Sequence, residues 1–465
     1  MRQTLFLWFP AVAMSLGWAF RGFIGGGPLG AMIPGAMVSL ALLWLLAPHQ
    51  SASARPPAGL VAAFGAIGIG FGGQMTYGQT VGLASDFATM PWGLLGLALK
   101  GAVWGLLGGA TLGLAFTLRQ YTTSRVLVSL LAMLAATWAG WWFVNRPKLI
   151  YFSNPTDRPR EEVWMGLLSG ALAILAVLLW RSSNPVLLRF AGASFLGGGL
   201  GFGLGGALLA AGRNSGLDNS FWPWWKGMEY TFGLLFGLAL GWAAWRSREE
   251  LAGMWGAIMP RPGLLGEMFS KQEPPSSSPA WRADRTPIRS WQLRGVLVWI
   301  AAALLIAGAV WFEYAVDLRF AYSVAGAALL AVVLFSESLA WQIAITMTGF
   351  AFLLDLAEAF SGDLAFGSAA VGMSAAVAAS FAIGATVQSI QTRETAVLPR
   401  MFWLLTLASF GVTTLKTAMQ MVRSPGPHVE YWMFVAAMLL VWWLSARLRT
   451  VNSVPKRVSP GTMGI

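Results

Sequence analysis

Apolar residues occupy this chain in long, nearly unbroken runs. Runs of about 18 or more such residues read as transmembrane helices, because backbone groups in hydrocarbon must be bonded within their own segment. The pattern predicts about fourteen spans, near 3–20, 29–47, 58–78, 91–118, 126–143, 162–181, 186–211, 222–245, 292–312, 318–335, 339–360, 367–390, 398–421 and 429–446. The Gly-rich third and seventh spans are the ones expected to be broken or re-entrant. The expected fold is an all-α polytopic integral membrane protein.

The long polar interruption runs from Arg246 to Arg289 and centres on KQEPPSSSPA, a Pro/Ser-rich linker without apolar periodicity. It divides the chain into a half with eight spans (1–245), a basic linker (246–290), a half with six spans (291–448) and a basic tail (449–465). The positive-inside rule places the linker in the cytoplasm. An even span count then places both termini there, with Arg55, Arg119, Arg125, Arg181, Arg189, Arg393 and Arg400. The loop carrying Arg146, Lys148, Arg158 and Arg160 opposes the rule, tempered by Asp157, Glu161 and Glu162. A lone Arg2 before the first apolar run, with no A-x-A-like site leading into a soluble domain, reads as an uncleaved first helix. The start is not rich in Arg and Ser as a transit leader would be, which points to a prokaryotic plasma membrane.

The first half contains an internal repeat. Gly68, Gly70, Phe71 and Gly72 recur as Gly199, Gly201, Phe202 and Gly203, Asp86 as Asp218, and Pro91-Trp92 as Pro223-Trp224. Gly101, Gly105 and Gly109 recur as Gly233, Gly237 and Gly241. The copies cover about 30–118 and 162–245 and lie an even number of spans apart, so they run parallel. Glycines spaced by four share one helix face, a groove into which another backbone can pack. The string Gly68, Gly70 and Gly73 matches a dinucleotide fingerprint only formally, since no strand precedes it.

Composition narrows the chemistry. Of 465 residues 56% are hydrophobic and 11% charged, against roughly 25% charged in soluble proteins. This excludes a soluble globular enzyme, a disordered chain and a coiled coil. The net charge of +12 is attributed to cytoplasmic loops, with no nucleic-acid partner. No cysteine and two distant histidines, His49 and His428, exclude thiolate chemistry and argue against a metal site or any other cofactor.

Charges inside a bilayer cost roughly 2.5–3.5 kcal/mol each on insertion scales, so they are functional suspects. Arg21, in GWAFRGFIGGG, is either a snorkelling anchor or the cation of an anion site in a tight glycine turn. Gln74, Thr76, Tyr77 and Gln79 form the most polar part of the third span, and their repeat counterpart carries Arg213, Asn214, Asp218 and Asn219. These side chains either line a solute path, or join helices or sit in an interfacial loop. Lys226 and Glu229 share a face. Lys100 lies deep enough in its span to need a carboxylate partner, for which Asp86, Asp218 and Glu229 are the candidates. Asp355 and Glu358, with Lys416 to neutralise one of them, are candidates for proton coupling.

Three readings follow. The first is a secondary transporter or facilitator for a small polar or anionic solute, with or without proton coupling and self-association. The second is a membrane-embedded enzyme acting on a lipid or isoprenoid-linked substrate, against which no H-E-x-x-H, no G-x-S-x-G and no aspartate-rich metal motif occurs. The third is a noncatalytic scaffold or assembly factor.

Overall fold

The computed structural model describes residues 2–47, 58–156, 159–217, 222–256, 321–349, 366–392, 396–423, 426 and 428–453. Among them the chain is helical and has no strand. The helices are α1 (Arg2–Ile24), α2 (Gly27–Leu46), α3 (Ala58–Gly72), α4 (Gly78–Ser85), α5 (Met90–Thr117), α6 (Thr123–Gly140), α7 (Trp164–Leu179), α8 (Pro185–Asn214), α9 (Trp224–Gly256), α10 (Ala321–Val333), α11 (Glu337–Trp341), α12 (Phe366–Gln391), α13 (Val397–Arg423) and α14 (Val429–Ser453). Wider π turns, Trp141–Asn145 and Gln342–Met347, extend α6 and α11. Seven helical stretches among the described residues are long and apolar enough to cross a membrane. The chain is a multi-pass membrane protein.

One expectation needs correction. The seventh span is not broken: α8 runs on for 30 residues. The third is interrupted, as expected: α3 ends at Gly72, so Gln74, Thr76 and Tyr77 lie in a turn and Gln79 in the short α4. The span expected at 292–312 and the second half of 339–360 lie outside the described residues, as do the linker from 257 onward and the tail from 454.

Local chemistry sets the helix starts. Pro28, Pro91 and Pro185 stand in the first turns of α2, α5 and α8, where a fixed φ helps and a missing N–H costs nothing. The Asn184 side chain accepts from Leu187 N at 2.9 Å and caps α8. Asn145 caps a helix across the loop: its Oδ1 accepts from Met165 N and Gly166 N, both at 3.1 Å, at the start of α7. Asn145→Ala should therefore cost about 1–2 kcal/mol, read as a lower unfolding midpoint in detergent. A midpoint equal to that of the native chain would show that the cap contributes nothing.

Six helices close into a ring. α1 packs on α2, α2 on α3, α3 on α5, α5 on α8, α8 on α9, and α9 returns to α1. Neighbours run antiparallel, as the glycine contacts record: Gly17 lies against Pro34, Gly35 against Gly65 and Ala66, and Gly68 against Thr111. Both glycine ladders act as grooves. Gly101, Gly105 and Gly109 of α5 receive Gly198, Ser194 and Phe190 of α8, while Gly233, Gly237 and Gly241 of α9 receive Ser15, Ala11 and Phe6 of α1. Inside the ring four aromatic rings, one each from α1, α5, α8 and α9, interlock: Trp18 with Trp104 at 4.8 Å, Trp18 with Phe232 at 4.5 Å and Phe202 with Phe232 at 4.8 Å between centroids.

The antiparallel order sorts charge by end. Arg119, Arg125, Arg189, Arg248 and Arg447 lie at the end where α1 begins and α14 finishes. Several of these arginines bond the last carbonyls of helices, as at Trp255 O (3.1 Å, from Arg119) and Val177 O (3.1 Å, from Arg125). A cation at a helix C-terminus satisfies orphan carbonyls and opposes the helix dipole. The opposite end, here termed the mouth, holds Arg21, Lys226, Glu229, Glu430, Lys416 and the 146–163 loop.

Candidate functional site at the mouth of the ring

Lys100 sits about 15 Å along α5 at 1.5 Å per residue, and the chain folds down to meet it. Its Nζ donates to Glu162 Oε1 at 2.6 Å, to Thr76 O at 2.7 Å and to Thr80 Oγ1 at 2.8 Å. Lys100 and Glu162 are each 1% exposed. Glu162 is anchored in turn by Ser153 Oγ (3.0 Å) and Phe152 N (3.1 Å). An ammonium has three N–H donors and all are used. None of the carboxylates anticipated as its partner fills that place. Asp86 is exposed and accepts from Ala88 N in a turn, Glu229 pairs with Lys226, and Asp218 lies outside the described residues. Glu162 was legible only as a loop charge.

Lys226 is engaged in the same way. It donates to Glu229 Oε2 at 2.7 Å, approaches Glu430 Oε1 at 3.3 Å, and reaches Ala19 O at 3.3 Å. Glu229 also accepts from Trp225 Nε1 at 3.0 Å. A Cβ on Gly22 would overlap the Glu229 carboxylate, so glycine there lets the acid reach α1.

Arg21 differs from both lysines. It ends α1, is 3% exposed, and forms one hydrogen bond, from Nη1 to the Tyr77 hydroxyl at 2.7 Å. Its guanidinium carbon lies 5.1 Å from the Trp18 ring centroid, 5.3 Å from Trp104 and 5.6 Å from Tyr77. The aromatic faces supply cation–π attraction. Its Nε has no acceptor among the described residues.

The other expected residues serve mainly as joints. Gln74 bonds Ser323 of α10 through both amide atoms, with Nε2 to Ser323 Oγ at 2.9 Å and Ser323 N to Oε1 at 3.0 Å. Thr76 donates to Glu161 O at 3.1 Å, and Gln79 accepts from Asn154 N at 3.2 Å. Arg213 and Asn214 reach Ser85 from the exposed end of α8, and Arg213 lies over Trp225. Lys416 donates to Phe23 O at 2.8 Å. Asp355 and Glu358 lie outside the described residues. On the loop, burial and the Glu162 charge push the Tyr151 phenol above its usual range.

The structure thus gathers Arg21, Tyr77, Lys226 and Glu229 at one mouth, with Lys100 beside them through the Thr76–Tyr77 turn. Sequence reasoning missed Trp18, Trp104, Glu162 and Glu430. The adjacent acids Glu161 and Glu162, just before an apolar run in an arginine-rich loop, were the available signal for Glu162. No protein-family model, curated protein or solved structure matches this chain.

Proposed function

We propose that this protein is a secondary transporter or facilitator of a small polar or anionic solute, seated in a prokaryotic plasma membrane with its arginine-rich end and both termini in the cytoplasm. The observation that carries the reading is a ring of six helices whose mouth, opposite that end, holds three buried cations among the described residues, of which one, Arg21, forms no ion pair with them. Buried charge in a membrane bundle is costly and marks solute or ion paths. The interlocked Trp18, Trp104, Phe202 and Phe232 form the barrier below the mouth, a natural closed gate for alternating access. The parallel repeat supports a body built from related helix hairpins. Coupling to protons is assigned to Asp355 and Glu358, with Lys416 at the mouth.

Reconstitution tests the reading. Proteoliposomes should take up at least one solute from a panel of acetate, lactate, succinate, phosphate and neutral amino acids faster than protein-free liposomes. The Arg21→Gln variant should lose that difference while still inserting. Turnover of the vesicle lipids with no protein-dependent flux would instead favour an enzyme.

A further inference from the structure

Two buried donors on one face of α1 have no acceptor among the described residues. Arg21 Nε is one and Trp18 Nε1 is the other. Their residues are three apart, hence neighbours on the helix, and the guanidinium lies 5.1 Å from the Trp18 ring. Trp18 is 1% exposed and Arg21 3%. Buried N–H groups are nearly always bonded, so an orphaned pair beside a cation calls for a ligand that accepts. Lys100, at the same mouth, shows the alternative, since it spends all three donors on protein oxygens, while Lys226 is paired with Glu229 and Glu430.

We propose that Arg21 and Trp18 form a binding site for a small monocarboxylate, a proposal that rests on the transport reading and names its substrate class. The ligand class follows from shape and charge. Tyr77 occupies Nη1, which leaves the edge containing Nε, the side on which a guanidinium grips the two oxygens of a planar carboxylate. Trp18 Nε1 is a further donor on the same helix face that no described residue accepts. The rings of Trp18, Tyr77 and Trp104 lie around the guanidinium, and such flat apolar neighbours favour a flat anion with a short apolar tail over a bulky one. Glu229 and Glu430 stand beside Arg21 and Lys226, so every negative charge a ligand brings in meets two carboxylates, and the lowest ligand charge is favoured. A divalent tetrahedral anion would bring a second charge into the same buried space, and like charges there repel strongly.

The full chain, purified in detergent, is heated in sodium acetate, propionate or benzoate and in sodium chloride of equal ionic strength, and the same salts are titrated calorimetrically. The monocarboxylates should raise the unfolding midpoint by about 2–4 °C, and sulfate and phosphate should do so less. Trp18→Phe keeps an aromatic ring and removes the N–H, so carboxylate affinity should fall about tenfold or more. Arg21→Gln should abolish the shift. If Arg21→Gln fails to fold, Trp18→Phe decides alone. No shift with any monocarboxylate, an undiminished shift in Trp18→Phe, or a larger shift with sulfate or phosphate overturns the proposal. Carboxylate binding that depends on Trp18 but is accompanied by no vesicle uptake would keep the site and remove transport. Uptake of a neutral solute, unchanged in Trp18→Phe, would keep transport and remove the site.

Discussion

Lys100→Met should destabilise the protein by about 3–5 kcal/mol, because it strands the Glu162 carboxylate in the interior. The native pair is 2.6 Å apart, both members are 1% exposed, and each is further tied, Lys100 to Thr76 and Thr80, Glu162 to Ser153 and Phe152. Adding Glu162→Gln removes the stranded charge, while the amide oxygen can still accept from Ser153 or the Phe152 N–H. The double variant should recover to within about 1–2 kcal/mol of the native chain, as neutral replacements of buried pairs commonly do. Unfolding midpoints of the two single variants and the double variant complete the cycle. Singles as stable as the native chain, or a double as damaged as the singles, would show that this pair is not what fastens the loop to α5. Uptake by the stable double variant separates two roles. Because the three donors of Lys100 are all spent on protein oxygens, its part is to position the Thr76–Tyr77 turn, and through Tyr77 the guanidinium of Arg21. Activity in the double variant fits that positioning role; a stable, inactive double would give Lys100 a direct contact with solute.

The helices were readable because membrane spans announce themselves by length and apolarity, a signal carried within each segment. The ladder face was readable for the same reason: spacing by four fixes which side of α5 is bare, whatever docks there. What docks was not readable. The ladder on α5 takes α8 and the one on α9 takes α1, and nothing within either ladder distinguishes these outcomes. Lys100 was marked correctly as needing a carboxylate, since the energetic argument is local. Its partner came from a loop 62 residues away that composition alone assigned to solvent. Arg21 was open to two readings, an interfacial anchor or an anion site. Burial beneath three aromatic faces argues against the snorkelling geometry, because only 3% of the residue is exposed. Trp18 and Trp104 went unread because tryptophan in a membrane protein is expected at the interface, whereas these two lie inside the bundle.

Gly105→Val should be the most damaging single change in the ring. A Cβ at Gly105 would fall on the carbonyl oxygen of Ser194, and its ladder neighbours Gly101 and Gly109 are also seated against backbone, at the Gly198 and Phe190 carbonyls. These are backbone atoms within α8, so no rotamer change relieves the overlap; the two helices must separate. Separation would also pull Phe202 away from Trp104 and Phe232, which meet it at 6.3 and 4.8 Å. Overpacking of this kind costs about 3 kcal/mol or more when the obstacle is rigid. The measurement is the yield of monodisperse protein in detergent together with its unfolding midpoint. Gly192→Ala is the matched control, on α8 but with nothing within 4 Å of the added carbon. It should be neutral or stabilising by about 0.5–1 kcal/mol, the ordinary gain of alanine over glycine in a helix. Ser194→Gly should not rescue Gly105→Val, since the obstacle is the carbonyl and not the side chain. Equal stability of Gly105→Val and Gly192→Ala would mean that α5 and α8 are not held in backbone contact. The ring, and with it the enclosure around Arg21, would then have to be given up.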